Sequence, residues 1–399
     1  MILEVGAVAA GGACVARAED GRVVFVRHAL PGERVRAELT ATTAHFLRAD
    51  AVEVLRASPS RVAPPCPWSG PGRCGGCDWQ HAAVPYQRML KTALVSEQLS
   101  RLAGLTLEPV VEELPGGALG WRTRVQWAVS AAGRPGLHRH RSKDLELVDR
   151  CLIAAPGADT PVGLPWPGVR SVEAFAVDGQ AVLSVAGRPA PLPPTRAGVV
   201  LNGRPLSVPH GVRTSVLGRW FEVSAGAFWQ VHPAAPAVLA TAVLDGLAPQ
   251  PGESVVDLYA GVGLFSSLLG AAVGSAGSVL AVEGDVRACA DAARNTADQP
   301  WVRVRTAAVD EALVRSLGRR TPSLVVLDPP RAGAGLGVTA ALAALRPRAL
   351  AYVACDPASF ARDLRVLLDA GWSLSSLRAF DLYPMTEHVE LVALLRPPG

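Results

Sequence analysis

Four short apolar runs in the last third of the chain, at residues 254–258, 279–282, 324–327 and 349–353, alternate with stretches of helical period. That alternation points to a doubly wound parallel sheet with helices on both faces. Ligands of such sheets bind at the carboxyl ends of the strands, so the residues just past each run are the informative ones. After the first run comes Asp257-Leu-Tyr-Ala-Gly-Val-Gly-Leu264, where Gly261 and Gly263 permit a tight turn and close approach to a nucleoside. After the second, Glu283 follows the glycines by about twenty residues, the spacing at which an acid meets ribose hydroxyls. Asp310 follows the next apolar stretch and is suited to an adenine amine. Asp328-Pro-Pro-Arg331 is a rigid loop with one acid, one guanidinium and no backbone donor at either proline. The last run leads into Ala-Cys355-Asp-Pro, which sets a thiol where it can act as a nucleophile.

Together these residues resemble the class I S-adenosylmethionine-dependent methyltransferases. Asp328-Pro-Pro-Arg331, Tyr352-Val-Ala-Cys-Asp-Pro357 and Met385-Thr-Glu-His-Val-Glu390 are similar to motifs of the RNA uracil-5 methyltransferases. The resemblance implies that Cys355 adds to C6 of uracil, that Glu390 removes the C5 proton and that His388 is structural. Gly226-Ala-Phe-Trp-Gln-Val-His-Pro233 resembles that family's Phe-Phe-Gln-Val-Asn segment, which puts Gln230 against the methyl donor beside Tyr259, Gly261, Gly263, Glu283, Asp310 and Asp328. Leu264 and Asp356 both stand where the family carries asparagine. A carboxylate at 356 raises the pKa of the neighbouring thiol unless it points away or pairs with Arg331.

No basic segment precedes an apolar stretch at Met1, so a reducing cytoplasm is expected, and seven cysteines there point to metal or catalysis before disulfides. Cys66, Cys74 and Cys77 share a Gly/Pro-rich loop with spacing C-x7-C-x2-C, and Cys151 is the candidate fourth ligand. Zinc and an iron-sulfur cluster both fit that spacing. Cys14 and Cys289, in apolar surroundings, read as small buried hydrophobes. Cys66-Pro67, Cys74-Gly-Gly-Cys77-Asp-Trp-Gln-His81 and Cys151 resemble the [4Fe-4S] loop of bacterial TRAM-containing RNA uracil-5 methyltransferases, with a longer first gap. That resemblance implies a [4Fe-4S] cluster, with zinc as the alternative.

Short alternating runs at 3–8, 22–26 and 34–39, parted by glycine turns, predict a small OB-like barrel over residues 1–58. Gly-Gly, Val-Phe-Val and Ala-Leu-Pro-Gly-Glu-Arg-Val within it resemble the TRAM domain, an RNA-binding module. A central, mostly β domain with the cysteine loop follows at 59–225, with a helix over 86–105 packed on the catalytic domain, and a Rossmann-like methyltransferase domain fills 226–399. The formal net charge of +4 resides in residues 61–150, with twelve basic and eight acidic side chains; the flanking segments are balanced. There Arg122, Arg124 and Gln126 alternate with apolar residues, and an open basic face with Arg134, Arg139, Arg141 and Lys143 suits RNA. The sequence therefore predicts a methyltransferase acting on C5 of a uridine in a loop or stem-loop of ribosomal or transfer RNA, with no membrane span and no obligatory protein partner. The alternatives are an impaired RNA-binding protein of the same fold and a zinc-bearing methyltransferase acting on another base.

Overall fold

In the computed structural model, which describes residues 1–189, 191–318 and 321–399, the doubly wound sheet has eight strands. Their order is Val302–Thr306, Ser278–Glu283, Ser254–Leu258, Leu324–Leu327, Ala349–Ala354, Glu390–Arg396, Ser373–Asp381 and Val111–Glu113. The first five are mutually parallel, and Glu390–Arg396 runs antiparallel to Ala349–Ala354. Leu324–Leu327 and Ala349–Ala354 are buried at every position because helices cover both faces, which is why they read as continuous apolar runs. Neighbours of Ser254–Leu258 diverge to either side, Ser278–Glu283 on one and Leu324–Leu327 on the other. The crevice at its carboxyl end is the switch point. Val111–Glu113, far upstream in sequence, adds a parallel edge strand against Ser373–Asp381.

The N-terminal sheet has five strands, Ile2–Glu4, Cys14–Arg17, Val23–Arg27, Arg34–Thr42 and Phe46–Arg56, curled over Val24, Val26, Val35 and Leu47. Two of them, Cys14–Arg17 and Phe46–Arg56, lie outside the runs read from sequence. In the second, Leu47, Ala49 and Ala51 alternate with Arg48 and Asp50, but the apolar side is mostly alanine and its phase is broken at Glu53, which weakens the signal on which a strand is recognised. The core of this sheet also takes in Trp79, Ala82, Leu90 and Leu94.

Leu90 and Leu94 belong to the helix Val84–Gln98, which opens with proline in its first turn and passes into a π-helical turn, Leu99–Ala103, closed by Gly104 at φ 70°. Val95, Leu99 and Ala103 enter the core of the eight-stranded sheet, so one helix is shared between two cores. Gln87 and Lys91 on it are fully buried despite their polarity.

The central region is a seven-stranded sheet plus the hairpin Gly211–Val216 and Arg219–Ser224. Val125 and Trp127 of Arg124–Val129 face its core as the alternation requires. The expectation that Arg124 lies on an open basic face needs correction. Its guanidinium sits 4.1 Å above the ring of Phe175, its cross-strand partner, and bonds Glu173 at 2.8 Å and the Ala227 carbonyl. Antiparallel pairing brings that acid diagonally across from it, so the charge ties the sheet together. Arg139 is likewise paired with Glu146. Among the described residues, no helix is long and apolar enough to cross a membrane.

Candidate active site

A cavity of about 970 Å³ opens at the switch point, lined by Gln230, Tyr259, Gly261, Glu283, Asp328, Cys355 and Glu390. They come from several strand ends and adjoining loops, with Tyr259 and Gly261 sharing the loop after Ser254–Leu258. Tyr259 and Gly261 take positive φ, 61° and 53°, so the chain after Ser254–Leu258 turns sharply into the crevice. Glu283, closing Ser278–Glu283, accepts from the Gly261 amide at 2.9 Å and from the Asp285 amide at 2.8 Å, which fixes that turn. Gln230 is buried, and its amide donates to Asp328 at 3.4 Å.

Cys355 follows the last residue of Ala349–Ala354 and precedes the helix Pro357–Asp369. Its neighbour Asp356 is the N-cap of that helix, accepting from the Ser359 amide at 2.7 Å. Arg331 does not pair with Asp356; its Nη2 donates to Nε2 of His388 at 3.2 Å. That acceptor is neutral imidazole, since burial and the nearby cations push His388 down to about 4. Burial, Glu390 and Asp328 push the Cys355 thiol up to about 12, Arg331 opposes them, and Asp356 adds the smallest repulsion.

Glu390 opens the strand Glu390–Arg396 and is almost wholly enclosed. Burial and the charge of Asp328 hold it well above the ordinary carboxylate range, against a hydrogen bond of 3.1 Å from the Tyr383 hydroxyl. Asp328 itself is raised to about 7 by burial and by Asp257, which is fully buried with Ser266 donating to it. The site thus gathers carboxylates that hold their protons more tightly than usual around a protonated thiol.

Two residues expected at the donor site, Asp310 and Gly263, are not among those lining the cavity. Asp310 is exposed, caps the helix Glu311–Leu317 through the Leu313 amide and does not line the cavity. Gly263 works in packing, for at φ 88° a Cβ there would sit 3.2 Å from that of Ala292. Leu264 is buried in the core. Sequence reasoning missed Tyr383, Gln87 and Lys91. Gln87 and Lys91 are lone polar residues within a helix and Tyr383 lies in the loop after Ser373–Asp381, and none of the three carries a motif.

Cys66, Cys74, Cys77 and Cys151 converge on a second cavity of about 90 Å³, and none is in a disulfide. Burial pushes Cys74 up to about 11 and raises Cys77 and Cys151, with mutual repulsion adding to it. Thiols so placed suit a cation that would hold them as thiolates. The Gln80 amide donates to Cys77 sulfur at 3.3 Å. Among the described residues, no group of three or more His, Cys, Asp or Glu side chains is gathered as a single metal ion requires. Cys14 and Cys289 are buried, each donating to a carbonyl, of Ala29 and Glu283.

Residues 2–52 match the TRAM domain. The chain is 48% identical to an uncharacterized RNA methyltransferase of Streptomyces coelicolor, over 99% of this chain and 92% of that protein. It is 32% identical to a 23S rRNA (uracil(1939)-C(5))-methyltransferase of Halomonas elongata, over 99% of this chain and 89% of the other. The crystal structure of Pyrococcus abyssi tRNA (uracil-54, C5)-methyltransferase with S-adenosyl-L-homocysteine aligns over 99% of this chain and 100% of its own, with a TM-score of 0.74 and 20% identity. That likeness shows a shared fold.

Proposed function

The chain belongs to the TRAM-containing RNA uracil-C5 methyltransferases, and from that premise we propose that it methylates C5 of a uridine in structured RNA through a covalent adduct of Cys355. The observation that carries the reading is the meeting of Cys355, Asp328, Glu390 and Gln230 in one cavity at the switch point. Ribosomal RNA is the favoured substrate, because relatives named for 23S rRNA share 32% identity over nearly the whole chain.

S-adenosylmethionine supplies an electrophilic methyl carbon on a cationic sulfur, whose charge favours the thiolate and ionised carboxylates around it. Gln230, Tyr259, Gly261, Glu283 and Asp328 would hold that donor. Cys355 gives up its thiol proton to water, and its Sγ adds to C6 of the uracil. The displaced ring electrons make C5 nucleophilic enough to take the methyl group, whose bond to the donor sulfur breaks so that neutral S-adenosylhomocysteine leaves. The Glu390 carboxylate then removes the C5 proton. Electrons of that C–H bond restore the C5–C6 double bond as the Sγ–C6 bond breaks, returning a thiolate. The high proton affinity of Glu390 suits it to that abstraction.

Cys66, Cys74, Cys77 and Cys151 line one cavity and would together hold a [4Fe-4S] cluster, with zinc as the alternative. Anaerobically purified protein is expected to show broad absorbance near about 400 nm; colourless protein carrying zinc would overturn this assignment. For the reaction, Glu390→Gln is expected to accumulate a denaturant-resistant protein–RNA adduct, while Cys355→Ala forms neither adduct nor product. Formation of 5-methyluridine by Cys355→Ala contradicts the proposal.

A further inference from the structure

The segment that brings Glu390 into the cavity is held from outside its own domain. Before reaching Glu390 the chain passes Met385, a buried residue at φ 70°, in the left-handed region that non-glycine residues rarely adopt. Both of its backbone polar groups are fastened to distant parts of the chain. The Met385 amide donates to Oε1 of Gln87 at 2.8 Å, and its carbonyl accepts from the amides of Asp78 at 2.9 Å and Trp79 at 3.0 Å. Nε2 of Gln87 donates onward to the carbonyls of Trp79 at 3.0 Å and Ala82 at 2.9 Å, and lies 3.3 Å from the Met385 sulfur. One helical turn later Lys91, also fully buried, reaches Asp381 at 2.5 Å and the Tyr383 carbonyl at 3.0 Å. Tyr383 in turn donates to Glu390.

A fully buried amide and a fully buried ammonium, on one helix face, thus both address the segment from Asp381 to Glu390. Stability alone is a weak reason for burying such groups, since apolar residues of similar volume do as well or better. We propose that Gln87 is a positioning residue for Glu390, and that the loop after Cys77 and the base-bearing segment form one unit knotted at Met385. The helix Val84–Gln98 and the cysteine loop therefore set where the C5 proton is received, while the turn at Tyr259–Gly261 is fixed separately by Glu283. This inference rests on the reading of Glu390 as the base.

The test uses full-length protein, S-adenosylmethionine labelled in its methyl group, and unmethylated ribosomal RNA carrying tritium at uridine C5. Methyl transfer into RNA, trapped protein–RNA adduct and tritium release are followed in a single turnover. Gln87→Met is expected to bind S-adenosylmethionine as wild type does, to form methylated adduct, and to release tritium about 10- to 100-fold more slowly, the penalty of a slightly misplaced catalytic group. Gln87→Glu keeps the acceptor for the Met385 amide but loses the amide hydrogens given to the Trp79 and Ala82 carbonyls, and should restore part of the release rate. Glu390→Gln is run beside them. If Glu390→Gln traps adduct and Gln87→Met does not, the inference fails and the base assignment stands; if neither traps adduct, the base assignment fails first. Amide exchange on the wild type guards against a variant that does not fold. The peptide over residues 383–390 should exchange as slowly as the strand Glu390–Arg396, and loop-like exchange there overturns the knot.

Discussion

At the scale of single residues, the carboxylate next to Cys355 is absorbed by the backbone. Asp356 caps the helix Pro357–Asp369, and its charge is the least of the influences on the thiol. Asp356→Asn should therefore keep the cap and near-normal turnover, whereas Asp356→Ala should lower stability by about 1 kcal/mol in denaturant melts. Arg331 is the cation that holds the thiol down. Its replacement by Met is expected to raise the Cys355 pKa further and slow alkylation of Cys355 by iodoacetamide at fixed pH; faster alkylation would contradict that account. Asp257 gives a pH signature. Its carboxyl is raised from 3.8 to about 7 in the folded chain, so folded protein holds a proton that unfolded protein has lost across that window. This group's contribution to stability is present below the unfolded value and is lost as pH rises through about 7. Asp257→Asn should gain on wild type in melting temperature as pH climbs through that range, then by a constant amount above it.

At the scale of elements, the parallel strands were legible because burial on both faces makes them plain apolar runs, and their ends carried Glu283, Asp328 and Cys355. Asp310, another acid after an apolar run, is the cap of the next helix in the structure. An N-cap and a ligand contact use the same residue types at the same position, and sequence cannot separate them. Gly263 shows the converse: a motif glycine whose requirement comes from the helix Val286–Asn295. Gly263→Ala is expected to cost about 1–3 kcal/mol in denaturant melts, from positive φ and the close Cβ of Ala292. An unchanged midpoint would show that Gly263, the N-cap of the helix Leu264–Val273, can move away from Val286–Asn295 freely.

At the scale of the molecule, the contacts that assemble the site cross long stretches of sequence, and periodicity is blind to them. Gln87 reaches Met385, Lys91 reaches Asp381, and the Gly11 amide of the N-terminal sheet donates to Glu387 at 2.5 Å on the rim of the cavity. The Trp79 indole donates to the Gly12 carbonyl, and Leu90 and Leu94 complete the N-terminal core. A chain starting at residue 59 would expose that apolar surface, so it should aggregate or melt well below the full-length protein; equal melting temperatures would show the N-terminal sheet to be a detachable appendage. The central claim, that Cys355 is joined to uracil C6 during methyl transfer, is tested most directly by peptide mapping of Glu390→Gln. The variant is incubated with S-adenosylmethionine and unmethylated ribosomal RNA, digested with nuclease and protease, and weighed. The account predicts a 5-methyluridine nucleotide attached to the peptide bearing Cys355. An unmodified Cys355 peptide beside newly formed 5-methyluridine in the RNA would contradict it.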